Sequence, residues 1–260
     1  GSNLKQLGLA VANYESAYQV LPMGQLGTSA DKNNAPFHTA LIFLLPFVEE
    51  EAAYDMWRFD LRSVDGPNDA AASIHVSNYQ CPSDGAEGRL CNVRFARSNL
   101  VVCFGSDEMT KNAGGQDRLE RIVPVGGGDT DTDGAFRIDG ARRLRHFDDG
   151  TAKTVIGSEV IAGLDDDYGS DFIWDSRGSY TWIMVGSFCY THKNTPNSSA
   201  GDTTWFNPGQ DEECVDDPAN GLPCSSAGGI LTDRWHASAR SHHPGGVNTV
   251  FGDGHVAFIR

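Results

Sequence analysis

Ser241-His242-His243-Pro244-Gly245-Gly246-Val247-Asn248-Thr249-Val250-Phe251-Gly252-Asp253-Gly254-His255-Val256-Ala257-Phe258-Ile259-Arg260 closes the chain and decides how it folds. Two apolar runs flank Asp253-Gly254, and Asp and Gly tolerate the positive φ that a two-residue type I′ loop demands. That loop predicts Phe251 opposite Val256 and Thr249 opposite Phe258, with Val247 and Phe258 sharing a face. One side of the hairpin is then apolar and needs a cover. The other end of the chain supplies one.

From Asn3 to Tyr18 the apolar residues Leu4, Leu7, Val11, Tyr14 and Tyr18 recur at steps of three and four, one stripe of an α-helix, and Pro22 ends it. No capping residue precedes this helix. Residues 3–20 therefore read as the lower part of a longer helix, and Gly1-Ser2 reads as a cloning scar.

At 260 residues the chain is long enough for one large domain with a sizeable core, and residues 1–260 are read as a single globular unit. Its 30 glycines, 11 prolines and 10% aromatic residues describe a folded, loop-rich, strand-leaning protein. A formal charge of −15 argues against nucleic acid as a partner, since counterion release needs clusters of Lys and Arg that this chain lacks. No apolar run is long enough to span a membrane. Six cysteines, Cys81, Cys91, Cys103, Cys189, Cys214 and Cys224, have no C-x-x-C spacing, which disfavours zinc ribbons and favours disulfides and export. Their pairing cannot be read from spacing.

Within the chain, Ala40 to Val48 is a buried run broken near Pro46, followed by a helix with Glu49-Glu50-Glu51 in its first turn, where the macrodipole favours acids. Cys81-Pro82-Ser83-Asp84-Gly85 is a turn, and Ser98 to Phe104 a strand. Phe147 to Val160 is a turn running into a strand, and Ser179 to Val185 a further strand. Residues 105–140, rich in Gly and Asp, form one long loop. Residues 186–235, with three cysteines, form a second, disulfide-pinned excursion.

Several of these segments together resemble a known family. Asn3-Leu4-Lys5-Gln6-Leu7-Gly8-Leu9-Ala10 through Asn13-Tyr14, Leu44-Leu45-Pro46-Phe47-Val48-Glu49, Cys81-Pro82-Ser83-Asp84, Asp149-Gly150-Thr151 with Thr154 and Glu159, and Pro196-Asn197-Ser198 occur in the order seen in bacterial prepilin-type proteins. The signature of that family is a His, nine residues, then Asp-Gly, and His243 followed by Asp253-Gly254 has that spacing. Gly245, Gly246 and Asn248 fall inside it. The resemblance implies a head similar to type IV pilins and type II secretion pseudopilins. The implied fold is α+β, an N-terminal helix on an antiparallel sheet. A hydrophobic upstream helix would serve as membrane anchor and filament core, and its absence here is read as truncation. The implied location is the cell envelope or cell surface, and the implied partners are other pilin-like subunits or secretion-machine components. The family continues past the hairpin, where this chain stops at Arg260.

Three patterns invite chemistry. Asp129-x-Asp131-x-Asp133-Gly134 copies the first half of a calcium loop, but position twelve is Gly140, where a bidentate Glu is needed. Ca2+ is the ion this loop would take; no cofactor is otherwise required. His236, His242, His243 and His255 beside Asp233 and Asp253 contain zinc-ligand types, yet there is no H-E-x-x-H. A loop-closing hydrogen bond for His243 and a turn role for Asp253 explain the same residues more simply. Trp174, Tyr180 and Trp182, set among Asp, Ser and Gly, are the material of a sugar-stacking platform, against the plainer reading of strand core. No nucleophile elbow or nucleotide loop is present. The expectation is a structural or interaction protein and not an enzyme. A surface module for a polysaccharide or solute is the alternative, and a metal-dependent hydrolase stands behind both.

Overall fold

The computed structural model describes residues 1–27, 36–85, 88–106, 109–111, 122–124, 133–163, 175–182, 185–204, 206–207, 211–212, 214–225 and 234–260. The fold is α+β. A five-stranded sheet runs in the order Val256–Ile259, Val247–Phe251, Val155–Glu159, Leu100–Cys103, Cys189–Tyr190, antiparallel except for the last pair. The N-terminal helix, Ser2–Tyr18, lies along this sheet and buries Leu4, Leu7, Gly8, Ala10 and Val11. Leu4, Leu7 and Val11 share one core cluster with Val102, Ile156 and Val250. Each such side chain contributes about 1.5–3 kcal/mol. Gly8 sets the approach: a Cβ there would sit 2.9 Å from Val250 Cγ2 and 3.1 Å from Gly254 Cα.

The hairpin forms, but one residue out of the predicted register. Val250 faces Val256, Thr249 faces Ala257, Asn248 faces Phe258 and Val247 faces Ile259. The loop has three residues instead of two. Among Gly252, Asp253 and Gly254 only Gly254 takes positive φ, at 84°. The Gly254 N–H donates to the Phe251 carbonyl at 2.8 Å, and the Phe251 N–H to the His255 carbonyl at 3.0 Å. This is a type I turn closed by a left-handed glycine. A slip of one residue exchanges the faces. Val250 therefore meets the helix, Phe258 is 44% exposed, and Val247 joins a second cluster with Val101, Cys103, Val160, Tyr190 and Ala239. Both faces of the sheet are covered. No atom lies within 4 Å of a Cβ built on Gly254, so Gly254→Ala isolates backbone strain. It is expected to lower the unfolding free energy by about 1–2 kcal/mol in urea titrations, with Gly254→Asn recovering part because Asn tolerates this conformation.

The broken apolar run appears as Ala40–Phe43, a 3-10 turn Leu45–Val48 containing Pro46, and a short helix Glu51–Tyr54 with Glu51 in its first turn. Three expectations need correction. Ser179 to Trp182 is turn, with the Ser179 N–H on the Ser176 carbonyl at 3.0 Å and the Trp182 N–H on the Ser179 carbonyl at 3.2 Å. The β-branched and aromatic residues there lose to Gly178, whose φ of 76° redirects the chain. The stretch 105–140 is more than loop, because Met109–Lys111 pairs with Ile122–Pro124 and with Arg234–Trp235 in a three-stranded sheet. Of the cysteines, Cys214 and Cys224 form a disulfide, while Cys81, Cys91, Cys103 and Cys189 are not disulfide-bonded. Cys103 and Cys189 lie on adjacent strands but join opposite core clusters, so the sheet itself separates them.

The excursion is held mainly by buried charge. Arg97, Arg177 and Arg240 are among the largest fully buried side chains of the protein. Arg177 forks onto Asp175 through Nε (3.0 Å to Oδ1) and Nη2 (2.6 Å to Oδ2), and its Nη1 reaches Asp202 Oδ2 at 3.2 Å. Arg240 donates to the same Asp202 carboxylate at 2.9 and 2.8 Å. Remaining guanidinium hydrogens go to the carbonyls of Ser198, Ala200, Val215, Leu222 and Pro223, which draws the segment around the disulfide onto the core. Burial alone raises the Asp175 carboxyl, but the Arg177 charge and hydrogen bonds outweigh it and hold the group below the usual carboxylate range.

Candidate functional site: the signature junction

The motifs that stand apart in sequence meet at one end of the main sheet. Asp84, from the Cys81-Pro82-Ser83-Asp84 turn, has a nearly buried side chain, and its Oδ1 lies 3.1 Å from His242 Nε2. Its Oδ2 accepts from Asn99 Nδ2 at 2.7 Å and from the Ala162 N–H at 3.3 Å. Asn99 is the hub between turn and sheet, taking the Cys81 N–H at 2.6 Å and donating to the Val160 carbonyl at 3.1 Å. Beside it Glu159, the last residue of its strand, accepts from the Asn248 N–H at 2.8 Å and Asn248 Nδ2 at 2.9 Å, with His243 Nε2 at 3.4 Å.

The loop entering the hairpin is closed by its neighbours. Ser241 Oγ donates to the Gly246 carbonyl at 2.8 Å and accepts the His243 N–H at 3.1 Å. Asn197, from Pro196-Asn197-Ser198, donates to the same Gly246 carbonyl at 3.2 Å and takes the Ser241 N–H at 2.8 Å. The expected closing bond from His243 is thus made by Ser241 and Asn197, while the His243 ring turns to Glu159. Pro244 and Gly245 form the turn, Gly245 at a φ of 84°, and Gly246 leads into the strand. Asp253 and Gly254 sit at the far end of strand Val247–Phe251, where the Asp253 carboxylate accepts the His255 N–H at 3.0 Å and lies 2.6 Å from His255 Nδ1. Hydrogen bonds to His255 hold the Asp253 carboxyl below its ordinary range. The nine-residue spacing therefore measures one strand and its two turns.

This junction is packed rather than hollow. The cavity bounded by Asp84, Asn99, Glu159, His242 and His243 is about 10 Å3, at the lower limit for one water molecule. It has room to fasten three segments together and none for an organic substrate. Glu159→Ala leaves the Asn248 donors without their acceptor and is expected to cost about 1–3 kcal/mol, with Glu159→Gln losing less because one amide oxygen still accepts. Urea titration reads the loss, and hydrogen exchange at residues 241–248 should quicken in the alanine variant.

The other sequence candidates go elsewhere. The Asp133 carboxylate is taken by Ser106, whose N–H donates at 2.9 Å and whose hydroxyl donates to the second oxygen. Asp129 and Asp131 lie outside the described residues, as do Trp174 and Asp233. Among the described residues no three His, Cys, Asp or Glu side chains are grouped to hold a metal ion; His242, His243 and His255 each face a different carboxylate. Tyr180 is fully buried with its hydroxyl on the Ile74 carbonyl at 2.8 Å, and Trp182 packs on Phe95 with ring centroids 5.0 Å apart. Tyr180 thus offers no ring face to a sugar.

One family model matches the chain, over residues 1–260, and its description reads "Protein of unknown function (DUF1559)". No curated protein and no solved structure matches it.

Proposed function

Because the chain belongs to the DUF1559 family of proteins of unknown function along its whole length, we propose a role argued from its own architecture: the exported head of a membrane-anchored, pilin-like subunit that assembles through its N-terminal helix. The observation that carries this reading is the division of that helix. One face is embedded in the head through Leu4, Leu7, Gly8 and Val11, while Lys5, Leu9, Ala12 and Ser16 face outward, Leu9 with 54% of its surface exposed. A helix rigidly held on one side, with Leu9, Ala12 and Ser16 forming an exposed strip between polar neighbours on the other, can pack against like helices without reshaping the head. Among the described residues no helix is long and apolar enough to cross a membrane; the anchor of this reading is a hydrophobic segment joined to Asn3. The driving step is transfer of that anchor from lipid into a bundle of neighbouring helices, and no catalytic group is needed for it. The Cys214–Cys224 disulfide supports an oxidising compartment, hence the cell envelope or surface.

The test uses the full-length gene product in its own cells. Leu9→Cys, treated with a bismaleimide on intact cells, should give a cross-linked dimer, since each subunit then offers one exposed thiol to one neighbour, and Met56→Cys, on another exposed face, should not. Monomer alone from Leu9→Cys overturns the reading, as does an upstream sequence without a hydrophobic segment. A solute-binding role for the same head is the second reading, favoured by the cleft beside Asp133.

A further inference from the structure

Two cavities of opposite character meet on the side of the main sheet away from the helix. The first is a polar cleft of about 460 Å3 whose walls include Ser106, Asp133, Arg142, Asp148, Asp149 and Lys153. The second is a chamber of about 130 Å3 walled mostly by apolar groups, from Tyr190, Pro196, Ala239, Val247, Phe251 and Ile259. Val155 and His192 line both. His192 is held in that shared wall by stacking on Tyr190, centroids 5.1 Å apart, by Tyr190 Oη at 2.8 Å from its Nε2, and by its backbone N–H on the Gly105 carbonyl at 2.7 Å. Burial depresses its basicity, against the pull of Asp133. Val155 and a fixed His192 ring thus mark where the two cavities adjoin.

Size and charge select the occupant. A dry apolar cavity of roughly 150 Å3 takes up benzene, so the 130 Å3 chamber suits a phenyl ring or a branched alkyl group of similar bulk. The adjoining cleft offers both signs of charge: Asp148 and Asp149 on the turn that precedes Lys153, with Arg142 opposite in sequence across Phe147. A head bearing one sign only would meet a like charge there. We propose that the two cavities form one site for a free α-amino acid with an apolar side chain. The side chain fills the chamber, the ammonium faces Asp148 and Asp149, and the carboxylate faces Lys153 and Arg142. The site is separate from the signature junction and stands whether or not the head assembles through its helix.

Isothermal titration of the intact chain with L-phenylalanine and L-leucine tests it, with glycine, phenethylamine and hydrocinnamate as probes that each lack one element of the ligand. The expected result is saturable binding of the two apolar amino acids with a dissociation constant of about 1 mM or tighter, and weaker binding of all three partial probes. Ala239→Phe fills the chamber and should weaken L-phenylalanine at least ~10-fold, while Lys153→Ala should weaken it by roughly 3–10-fold and leave phenethylamine unchanged. Should Ala239→Phe fail to fold, Ala239→Val narrows the same wall and should weaken L-phenylalanine more than L-leucine. Absence of saturable heat for both amino acids up to about 10 mM, or affinity unaltered in a folded Ala239 variant, overturns the proposal.

Discussion

Asp202→Ala is expected to lower the unfolding free energy by about 3–5 kcal/mol. The carboxylate is 1% exposed and takes hydrogen bonds from Arg177, Arg240 and the Ser238 N–H, the last at 3.0 Å. Removing it leaves two guanidinium groups inside the protein. Arg177 keeps Asp175, but among the described residues Arg240 keeps only the Ser198 and Ala200 carbonyls, which cannot neutralise a charge. Against a typical total of about 5–15 kcal/mol, that loss removes a fifth or more of the stability. Urea unfolding of wild type, Asp202→Ala and Asp202→Asn measures it. The asparagine variant retains an acceptor but no charge and should fall between the other two. A loss below about 1 kcal/mol in the alanine variant would mean that water reaches the arginines and that the ions are not a sealed network.

Little of that network was legible in the sequence, and the reason is physical. Local signals were read correctly where a local cause exists: the helix stripe of Leu4, Leu7 and Val11, the break at Pro46, the turn at Cys81-Pro82-Ser83-Asp84, and the strand before Glu159. Each depends on neighbours a few residues away. The hairpin was placed correctly but misregistered, because Asp-Gly serves both as a two-residue turn and as the last two positions of a three-residue one, and only the observed φ of Asp253 decides. Of the strand expected over Ser179 to Val185, Ser179 to Trp182 is turn because Gly178 redirects the chain, and Ile183 and Met184 lie outside the described residues. Arg177 and Arg240 look like any surface arginines in the sequence. Their burial depends on Asp175 and Asp202 being brought to them by the fold.

The same holds for the signature junction. His243, Gly246 and Asn248 were identified from spacing, but Glu159 and Asn197, which hold them, Asp84, which faces the adjacent His242, and Asn99 behind it come from four other segments. The family motifs marked these segments separately. Their convergence on one small, filled junction gives the motifs a common cause, the fastening of the C-terminal hairpin to the turn and the sheet, and it moves the search for ligands to the cavities elsewhere.

Acid should loosen this protein well before its carboxylates are protonated, because of His38. The ring is fully buried among Phe43, Trp57 and Phe59, with centroids 6.5, 5.7 and 4.7 Å away. Burial pushes its pKa down from 6.5 to about 4, and the backbone of Leu61 and Phe59 offsets that only in part. Between these two values the unfolded chain binds a proton that the folded one refuses, so stability rises with pH across the window and falls as pH drops through it. A shift of this size is worth about 3 kcal/mol in full, of which roughly 2–3 kcal/mol should be lost between about pH 7 and about pH 4.5. Burial also depresses His192 and His236, which adds to the loss with the same sign. Asp175, held low by Arg177, contributes stability that disappears only at lower pH, below the range in which His38 titrates. His38→Phe keeps an aromatic ring in an aromatic setting and removes the proton site. Urea midpoints at the two pH values should therefore converge in that variant, leaving only the shares of His192 and His236. An undiminished acid loss in His38→Phe would show that the ring is already protonated or solvated in the native protein.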